Sequence, residues 1–193
     1  PFPGWTLPGV ITAGGSQNLI KGMGIAPAAP VVVAGNGPLL LVAAANLVSV
    51  GVEVAAVVEA SNRPWNIVRH AAKLIHGGSN LGLAIKYLKI LYKSKIPFLR
   101  GYGVIAAYGS ECLSAVDVAP IIRNGKFERS QARRITAKTM VTGMGLTPSL
   151  ELPRLLGLKE TSMPLRGGPN IITNEKMMSS VFGVFVAGDG SSI

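Results

Sequence analysis

The chain has 193 residues, of which 48% are hydrophobic, so it can form one sizeable domain or two small lobes. Lysine and arginine number 19 against 9 acidic residues, a formal charge of +10 that suits nucleic acid, anionic lipid or an acidic partner. The basic residues are spread along the chain and not massed in one tract, so we expect acidic segments elsewhere in the polypeptide to balance the charge, and we predict no nucleic-acid binding. The first residue is not methionine, and we expect a piece of a longer polypeptide.

The cysteine and histidine content argues against metal and disulfide chemistry. Cys112 is the single cysteine, which excludes a disulfide or a Cys-x-x-Cys pair within this segment, and we predict it as a small apolar side chain in a strand. His70 and His76 are six residues apart, which is not the spacing of a helical metal pair. We therefore predict no metal site and, with no secretory signal visible, a cytoplasmic protein.

The first predicted elements form a strand-helix-strand unit. A short extended segment at 10–13 and a helix near 17–22 precede strand 31–34, helix 38–50 and strand 53–58, with Gly51 ending the second helix. Residues 22–52 carry no charge and might be mistaken for a membrane span. Glycine and proline interrupt this run, however, so we predict a buried parallel strand and at most peripheral membrane contact.

A glycine turn joins the first strand of this unit to its helix. Gly35 and Gly37 match two positions of the Gly-x-Gly-x-x-Gly pattern of dinucleotide-binding folds, while Leu40 replaces the third glycine and is expected to push the helix outward or tilt it. Glu59 follows Gly35 by 24 positions, the spacing at which a carboxylate meets a ribose 2′-hydroxyl, and favours NAD over NADP. The alternative is a tight turn without a ligand and a solvated Glu59.

Residues 64–95 are predicted to be helical, with a break near 76–78. Tyr92 is placed on one face, together with Ile85 and Leu88, and lysines occupy another. Those lysines form either a solvated face or a basic surface for a membrane or an acidic electron-transfer partner.

The remainder is predicted to contain a β-meander, a further buried strand and a return to a second nucleotide site. The predicted elements are strands 103–108 and 112–121, a type I′ turn at 123–126 with a return strand, strand 138–145, helix 148–156 and strand 183–187. Asp189 follows the last strand between two glycines. There it can accept hydrogen bonds from sugar-alcohol hydroxyls, or else cap a helix.

Four strings of the sequence resemble, in order, the pyridine nucleotide-disulfide oxidoreductase superfamily. They are Pro-Gly-Trp-Thr-Leu-Pro-Gly-Val-Ile-Thr-Ala-Gly-Gly at 3–15, Val-Ala-Gly-Asn-Gly-Pro-Leu-Leu-Leu at 33–41, Gly-Met-Gly-Leu-Thr-Pro-Ser at 143–149 with Leu-Leu-Gly at 155–157, and Phe-Val-Ala-Gly-Asp-Gly at 185–190. Within the superfamily they are most similar to the FAD-containing A or alpha subunits of opine oxidase, hydrogen cyanide synthase and related amino-acid dehydrogenases and sarcosine oxidases.

The resemblance implies an α/β fold in which a Rossmann-like nucleotide-binding domain, with a parallel sheet and a β-meander, is flanked by parts of an FAD-binding domain. It divides the chain into a crossover at 1–27, a nucleotide-binding domain at 28–145 and a return into the FAD domain at 146–193. The implied contacts to NAD or another adenine nucleotide are Gly35, Asn36, Gly37, Pro38, Leu39, Glu59, Gly143 and Gly145. Those implied for FAD are Thr12, Gly188 and Asp189.

The resemblance also implies the function. We expect a flavin-dependent oxidoreductase subunit that oxidises an amino acid or opine-type amine together with a second, beta flavoprotein subunit. Hydride chemistry belongs to the flavin, so we assign no catalytic side chain. An NAD(P)H-dependent flavoprotein reductase and a non-catalytic nucleotide-binding scaffold are the alternatives.

Overall fold

The computed structural model of the chain describes residues 1–37, 39–61, 87, 89–122, 125–145, 148–163 and 168–188. The chain divides into two compact units, Pro1–Met144 and Gly145–Ile193. Among the described residues, the first unit contains five parallel strands: β1 (Val10–Thr12), β2 (Val31–Gly35), β3 (Val54–Glu59), β4 (Phe98–Arg100) and β8 (Thr139–Gly143). They form one sheet in the order β1-β8-β2-β3-β4. The predicted parallel α/β architecture is confirmed.

Central strand β2 is buried on both faces, which explains its unbroken apolar sequence. Val31, Val32 and Val33 are all 0% exposed. Val31 and Val33 pack with Leu47 and Ala43 of helix α2 (Leu39–Ser49), while Val32 belongs to the cluster on the opposite face. Because both faces of a parallel sheet are covered, its strands show no alternation of polar and apolar residues.

The helices begin and end where capping groups allow. Helix α1 (Ala13–Gln17) begins directly after β1 because the Thr12 hydroxyl accepts a hydrogen bond from the Gly15 N–H at 3.0 Å, and it continues as a π-helical turn over Asn18–Gly22. The predicted helix near 17–22 therefore starts earlier, at Ala13. Gly51, with φ of 78°, ends the turn after α2 as predicted.

A three-stranded antiparallel meander packs on the other face of the parallel sheet. It comprises β5 (Tyr102–Gly109), β6 (Leu113–Pro120) and β7 (Arg133–Thr136). Val116 and Val118 of β6 share a buried cluster with Val32 and Val58. The predicted meander is thus confirmed.

The return strand predicted directly after the turn at 123–126 begins later than expected. Ile121 and Phe127 form a single isolated bridge, and β7 begins only at Arg133, after a 3₁₀ turn at Arg129–Gln131. The Glu128 carboxylate bonds to Ser130 and stabilises that turn, which delays the return. Arg123 and Asn124 lie outside the described residues.

Two predictions about individual side chains are also corrected. Cys112 is exposed in the β5–β6 turn, because β6 begins one residue later at Leu113. Tyr92 is 87% exposed, whereas its neighbour Leu91 packs on the core cluster together with Ile96. The predicted apolar position at Tyr92 is therefore wrong, while Ile85 and Leu88 lie outside the described residues. The remaining predicted helix, with His70 and His76, lies outside the described residues.

The second unit contains a short helix and a hairpin. Helix α3 (Glu151–Leu155) is shorter than predicted, and the antiparallel pair β9 (Glu160–Met163) and β10 (Gly168–Ile171) was not predicted. Its core is Leu150, Leu158 and Ile171.

The predicted strand at 183–187 is not formed as a strand in this unit. Phe185 makes only one isolated bridge, to Met178. Around that bridge, two backbone hydrogen bonds join Val184 to Ser179 and Val186 to Met177, which is less than the continuous ladder of a strand. In the part of the chain that the structure describes, no helix is long and apolar enough to cross a membrane.

The outer face of the meander carries an ion pair whose effect on stability depends on pH. Arg134 donates two hydrogen bonds to the Asp117 carboxylate, at 2.7 and 2.9 Å, and its guanidinium lies 4.2 Å from the centre of the Tyr108 ring. Hydrogen bonding from Arg134 lowers the pKa of Asp117. The resulting stabilisation is present above the pKa of an unfolded aspartate, about 3.9, and is lost as pH falls through the lower folded value.

We predict that Asp117→Asn lowers the free energy of unfolding by under about 1 kcal/mol at pH 7, because the pair is partly solvated. Denaturant unfolding at a series of pH values checks this, with Glu111→Gln in the exposed β5–β6 turn as the control. The difference from the parent protein should shrink below about pH 4. A difference that persists to lower pH contradicts the assignment.

Candidate functional site

Four neighbouring strands of the first unit end at the same level of the sheet. The register aligns Gly143 of β8 with Gly35 of β2, Gly35 with Glu59 of β3, and Glu59 with Arg100 of β4. We call this set the terminal row. Ligands of open parallel sheets bind at the carboxyl ends of the strands. The row therefore marks the candidate site, and it brings together three residues that the sequence nominated far apart.

Close backbone contact explains the first glycine of the motif. Gly35 has φ of 149°, and a Cβ built there would overlap the carbonyl oxygen of Gly143. The next residue, Asn36, donates its N–H to that same oxygen at 2.8 Å. The chain thus turns tightly from β2 against the end of β8, which only glycine permits at position 35.

The second glycine faces open space. Gly37 has φ of 90°, and a Cβ built there would meet nothing within 4 Å. Among the described residues, no protein group accepts a hydrogen bond from the N–H of Gly37 or of Leu39, which begins α2. Free N–H groups at a helix N-terminus favour an anion. We call the N–H groups of Gly37 and Leu39 the cradle, and its position at the start of α2 suits a negatively charged group.

The backbone N–H of Asn36, one of the residues implied to contact the nucleotide, already has a protein acceptor. Asn36 was nominated with its neighbours, but its N–H is used by Gly143 and is not available to a ligand. Its side chain is exposed. Pro38, which has no N–H, lies outside the described residues. The donors that remain here are the N–H groups of Gly37 and Leu39.

Leu40, which stands where the motif has its third glycine, is buried. It is 1% exposed and belongs to the core cluster beneath α2. A Cβ built on Gly143 would lie 3.8 Å from Leu40 Cδ2 and 3.4 Å from the Ala13 Cβ. Both distances are ordinary van der Waals contacts, so Leu40 fills the space between the helix and the strand ends without requiring a glycine at position 143.

Glu59 is a buried carboxylate at the end of β3. The residue is 5% exposed, so it is not the solvated side chain of the alternative interpretation. Burial raises the pKa of Glu59, and the positive charge of Arg100 opposes that rise. A desolvated carboxylate is a strong acceptor for a sugar hydroxyl.

The remaining nominated residues are Thr12 in the first unit and Gly145, Gly188 and Asp189 in the second. Thr12 ends β1 and is exposed, and its hydroxyl caps α1. Gly145 and Gly188 are exposed residues of the second unit. Asp189 lies outside the described residues. No group of three metal-binding side chains occurs among the residues that are described.

Sequence reasoning missed Arg100. It ends a three-residue strand, Phe98–Arg100, within a segment predicted as the approach to the meander. The signal that could have indicated this strand is a short apolar run that ends in Arg100, directly before Gly101. Only the sheet order shows that this cation ends level with Glu59.

We predict that alanine destabilises the protein more at Gly35 than at Gly37. Gly35→Ala should lower the free energy of unfolding by about 2–4 kcal/mol, because the new Cβ overlaps backbone that cannot move. Gly37→Ala should cost only about 1–2 kcal/mol, and its Cβ should instead block an anion in the cradle. Thermal unfolding of both variants tests this, and equal destabilisation contradicts the assigned geometry.

A small residue at position 40, where the motif has its third glycine, should destabilise the protein. Leu40→Ala should destabilise the protein by about 2–5 kcal/mol, since it empties a packed position. Denaturant unfolding measures the loss, and Leu152→Ala, at a residue that is 72% exposed, is the control. A stability equal to that of the parent shows that Leu40 is not a core residue.

The sequence of the chain is similar to those of known proteins. The profile of the pyridine nucleotide-disulphide oxidoreductase family matches residues 18–192. The HcnB subunit of hydrogen cyanide synthase from Pseudomonas protegens is 36% identical over the whole chain, which spans 41% of that protein. The A subunit of opine oxidase from Agrobacterium tumefaciens is 34% identical over the whole chain, which spans 37% of it. The chain thus covers about two fifths of these relatives.

Solved structures show the same fold. An FAD-dependent pyridine nucleotide-disulphide oxidoreductase from Desulfovibrio vulgaris superposes on 99% of the chain, and on 42% of its own, with a TM-score of 0.67 and 20% identity. An NAD-dependent persulfide reductase from A. fulgidus superposes on 100% of the chain and 33% of its own, with a TM-score of 0.64 and 21% identity. The predicted cofactor classes, FAD and a nicotinamide adenine dinucleotide, are those of the matched family. The chain belongs to the pyridine nucleotide-disulphide oxidoreductase family of FAD- and NAD(P)-dependent oxidoreductases.

Proposed function

We propose that this chain is part of an FAD-dependent oxidoreductase subunit that oxidises an amino acid or opine-type amine together with a partner flavoprotein subunit. The observation that carries the proposal is the identity of 36% and 34%, over the full chain, to subunits of hydrogen cyanide synthase and opine oxidase. The proposed substrate class and the proposed partner both come from these relatives.

The proposed domain layout follows the same relatives. Residues 1–27 cross over from the FAD domain, residues 28–145 form the nucleotide-binding domain, and residues 146–193 return into the FAD domain. In this layout Thr12, Gly188 and Asp189 contact FAD. Gly145 and Gly143 border the nucleotide. We propose a cytoplasmic protein with at most peripheral membrane contact.

The described residues themselves would hold the nucleotide. The N–H groups of Gly37 and Leu39 would bind its pyrophosphate, and the Glu59 carboxylate would accept a hydrogen bond from the adenosine ribose. FAD, when bound, supplies the two-electron acceptor. The residues of this chain bind and orient cofactors, and we assign no side-chain acid or base.

An NADH-dependent flavoprotein reductase is the second candidate. The open cradle at Gly37 beside the buried carboxylate of Glu59 favours it, because both features suit a bound dinucleotide. The 193 residues contain one cysteine, so a reaction through a disulfide within them is excluded.

Stopped-flow reduction of the full-length protein, with its flavin and partner subunit, separates the candidates. We expect an opine or amino acid to bleach the flavin absorbance only when the partner is present. Rapid bleaching by NADH alone supports the reductase. If neither reductant bleaches the flavin, a non-catalytic nucleotide-binding scaffold is supported and the oxidoreductase proposal fails.

Two matched variants test whether Glu59 of the terminal row contributes to NADH binding. Glu59→Gln should weaken NADH binding by roughly tenfold, since it removes a charge-assisted hydrogen bond. Glu53→Gln makes the same change at an exposed residue just before the other end of β3, and it should leave the affinity as in the parent. Equal affinities of the two variants for NADH contradict the ribose contact.

A further inference from the structure

Arg100 shares a face of the sheet with Glu59. The two residues are register partners on adjacent parallel strands, β4 and β3, and partners at one register position project to the same side. They differ in environment, because Glu59 is 5% exposed while Arg100 is exposed. The guanidinium carbon of Arg100 lies 5.2 Å from the centre of the Phe98 ring, two residues back on the same strand. Arg100 and Glu59 thus place residues of opposite charge at the ends of adjacent strands, on one face of the sheet.

No other described cation acts on Glu59. Strand β2 and helix α2, which pack against β3, carry no titratable side chain. On β7, Arg134 is paired with Asp117, and Arg133 lies over the Tyr102 ring. On β5, Tyr108 lies against Arg134. Arg100 is the charge that opposes the effect of burial on the pKa of Glu59.

We propose that Arg100 is a positioning residue that keeps the buried Glu59 carboxylate ionised and thereby makes the nucleotide site select a ribose 2′-hydroxyl over a 2′-phosphate. This inference rests on the proposed nucleotide site. An ionised carboxylate accepts a hydrogen bond from a hydroxyl and repels a phosphate. A protonated carboxyl group carries no charge, so it does not repel a 2′-phosphate. It can also donate a hydrogen bond and is a weaker acceptor for the 2′-hydroxyl. The choice between NADH and NADPH then depends on the charge state that Arg100 maintains.

The direction of the pH effect follows from these charges. Without Arg100, the effect of burial is unopposed and the pKa of Glu59 rises further. Glu59 should then take up a proton at a higher pH than in the parent protein. Binding of NADH should weaken as the pH is lowered over a range in which the parent still binds fully, and the preference over NADPH should decline with it.

The test uses the full-length flavoprotein with NADH and NADPH as probes. Dissociation constants are measured by titration calorimetry between about pH 5.5 and pH 8 for the parent, Arg100→Gln and Arg100→Lys. We expect Arg100→Gln to weaken NADH binding roughly tenfold at the acidic end and less at the basic end. Arg100→Lys, which keeps the charge, should restore most of the affinity and the parent pH profile.

Arg129→Gln, at an exposed arginine of the 3₁₀ turn, is the matched control and should behave as the parent. Thermal unfolding of each variant confirms that the fold is intact. If Arg100→Gln binds NADH as the parent does at every pH, the inference is overturned while the nucleotide site stands. If it loses NADPH affinity more than NADH affinity, Arg100 contacts a 2′-phosphate directly and the inference is wrong. If the parent binds neither nucleotide, the nucleotide site itself is contradicted, and the inference with it.

Discussion

The close approach of two backbones at the ends of β2 and β8 determines the candidate site. Gly35 lies so near the Gly143 carbonyl that no side chain fits, and the hydrogen bond from the Asn36 N–H fixes the contact at 2.8 Å. This contact directs the chain away from the sheet and into α2. The N–H groups of Gly37 and Leu39 then remain without a protein acceptor among the described residues. The turn therefore forms the cradle, and the dipole of helix α2 adds a positive electrostatic potential there, which favours an anion.

The packing beneath this turn shows how a departure from the motif is accommodated. A third glycine normally lets the helix pack closely on the strand, and here Leu40 fills that space. Leu40 packs with Ala13 in the core, and even a Cβ at position 143 would meet both side chains at van der Waals distance. Helix α2 and the end of β8 are about a hundred positions apart in the sequence. The core beneath the turn therefore depends on contacts between distant segments of the chain.

Charge at the strand ends is arranged differently from charge elsewhere on the first unit. Asp117 is paired directly with Arg134 on the outer face of the meander, at hydrogen-bond distance. Glu59 is buried, and no described cation lies within ion-pair distance of it. A buried carboxylate without a close ion pair is costly, and such groups are found where a ligand uses them. The contrast separates a structural ion pair from a candidate binding group.

The sequence alone determined the parallel α/β class, the strand-turn-helix at Val31–Ser49 and the nomination of Gly35, Gly37 and Glu59, because these depend on local patterns of glycine, valine and spacing. The tertiary structure decided what those residues contact. Strand order placed Arg100 beside Glu59, and backbone contact took the Asn36 N–H out of the site. The segment 183–187 forms a single isolated bridge and no strand. The first two of these outcomes depend on groups that are distant in the sequence. The register between strands brings such groups together, and no single local segment encodes that register.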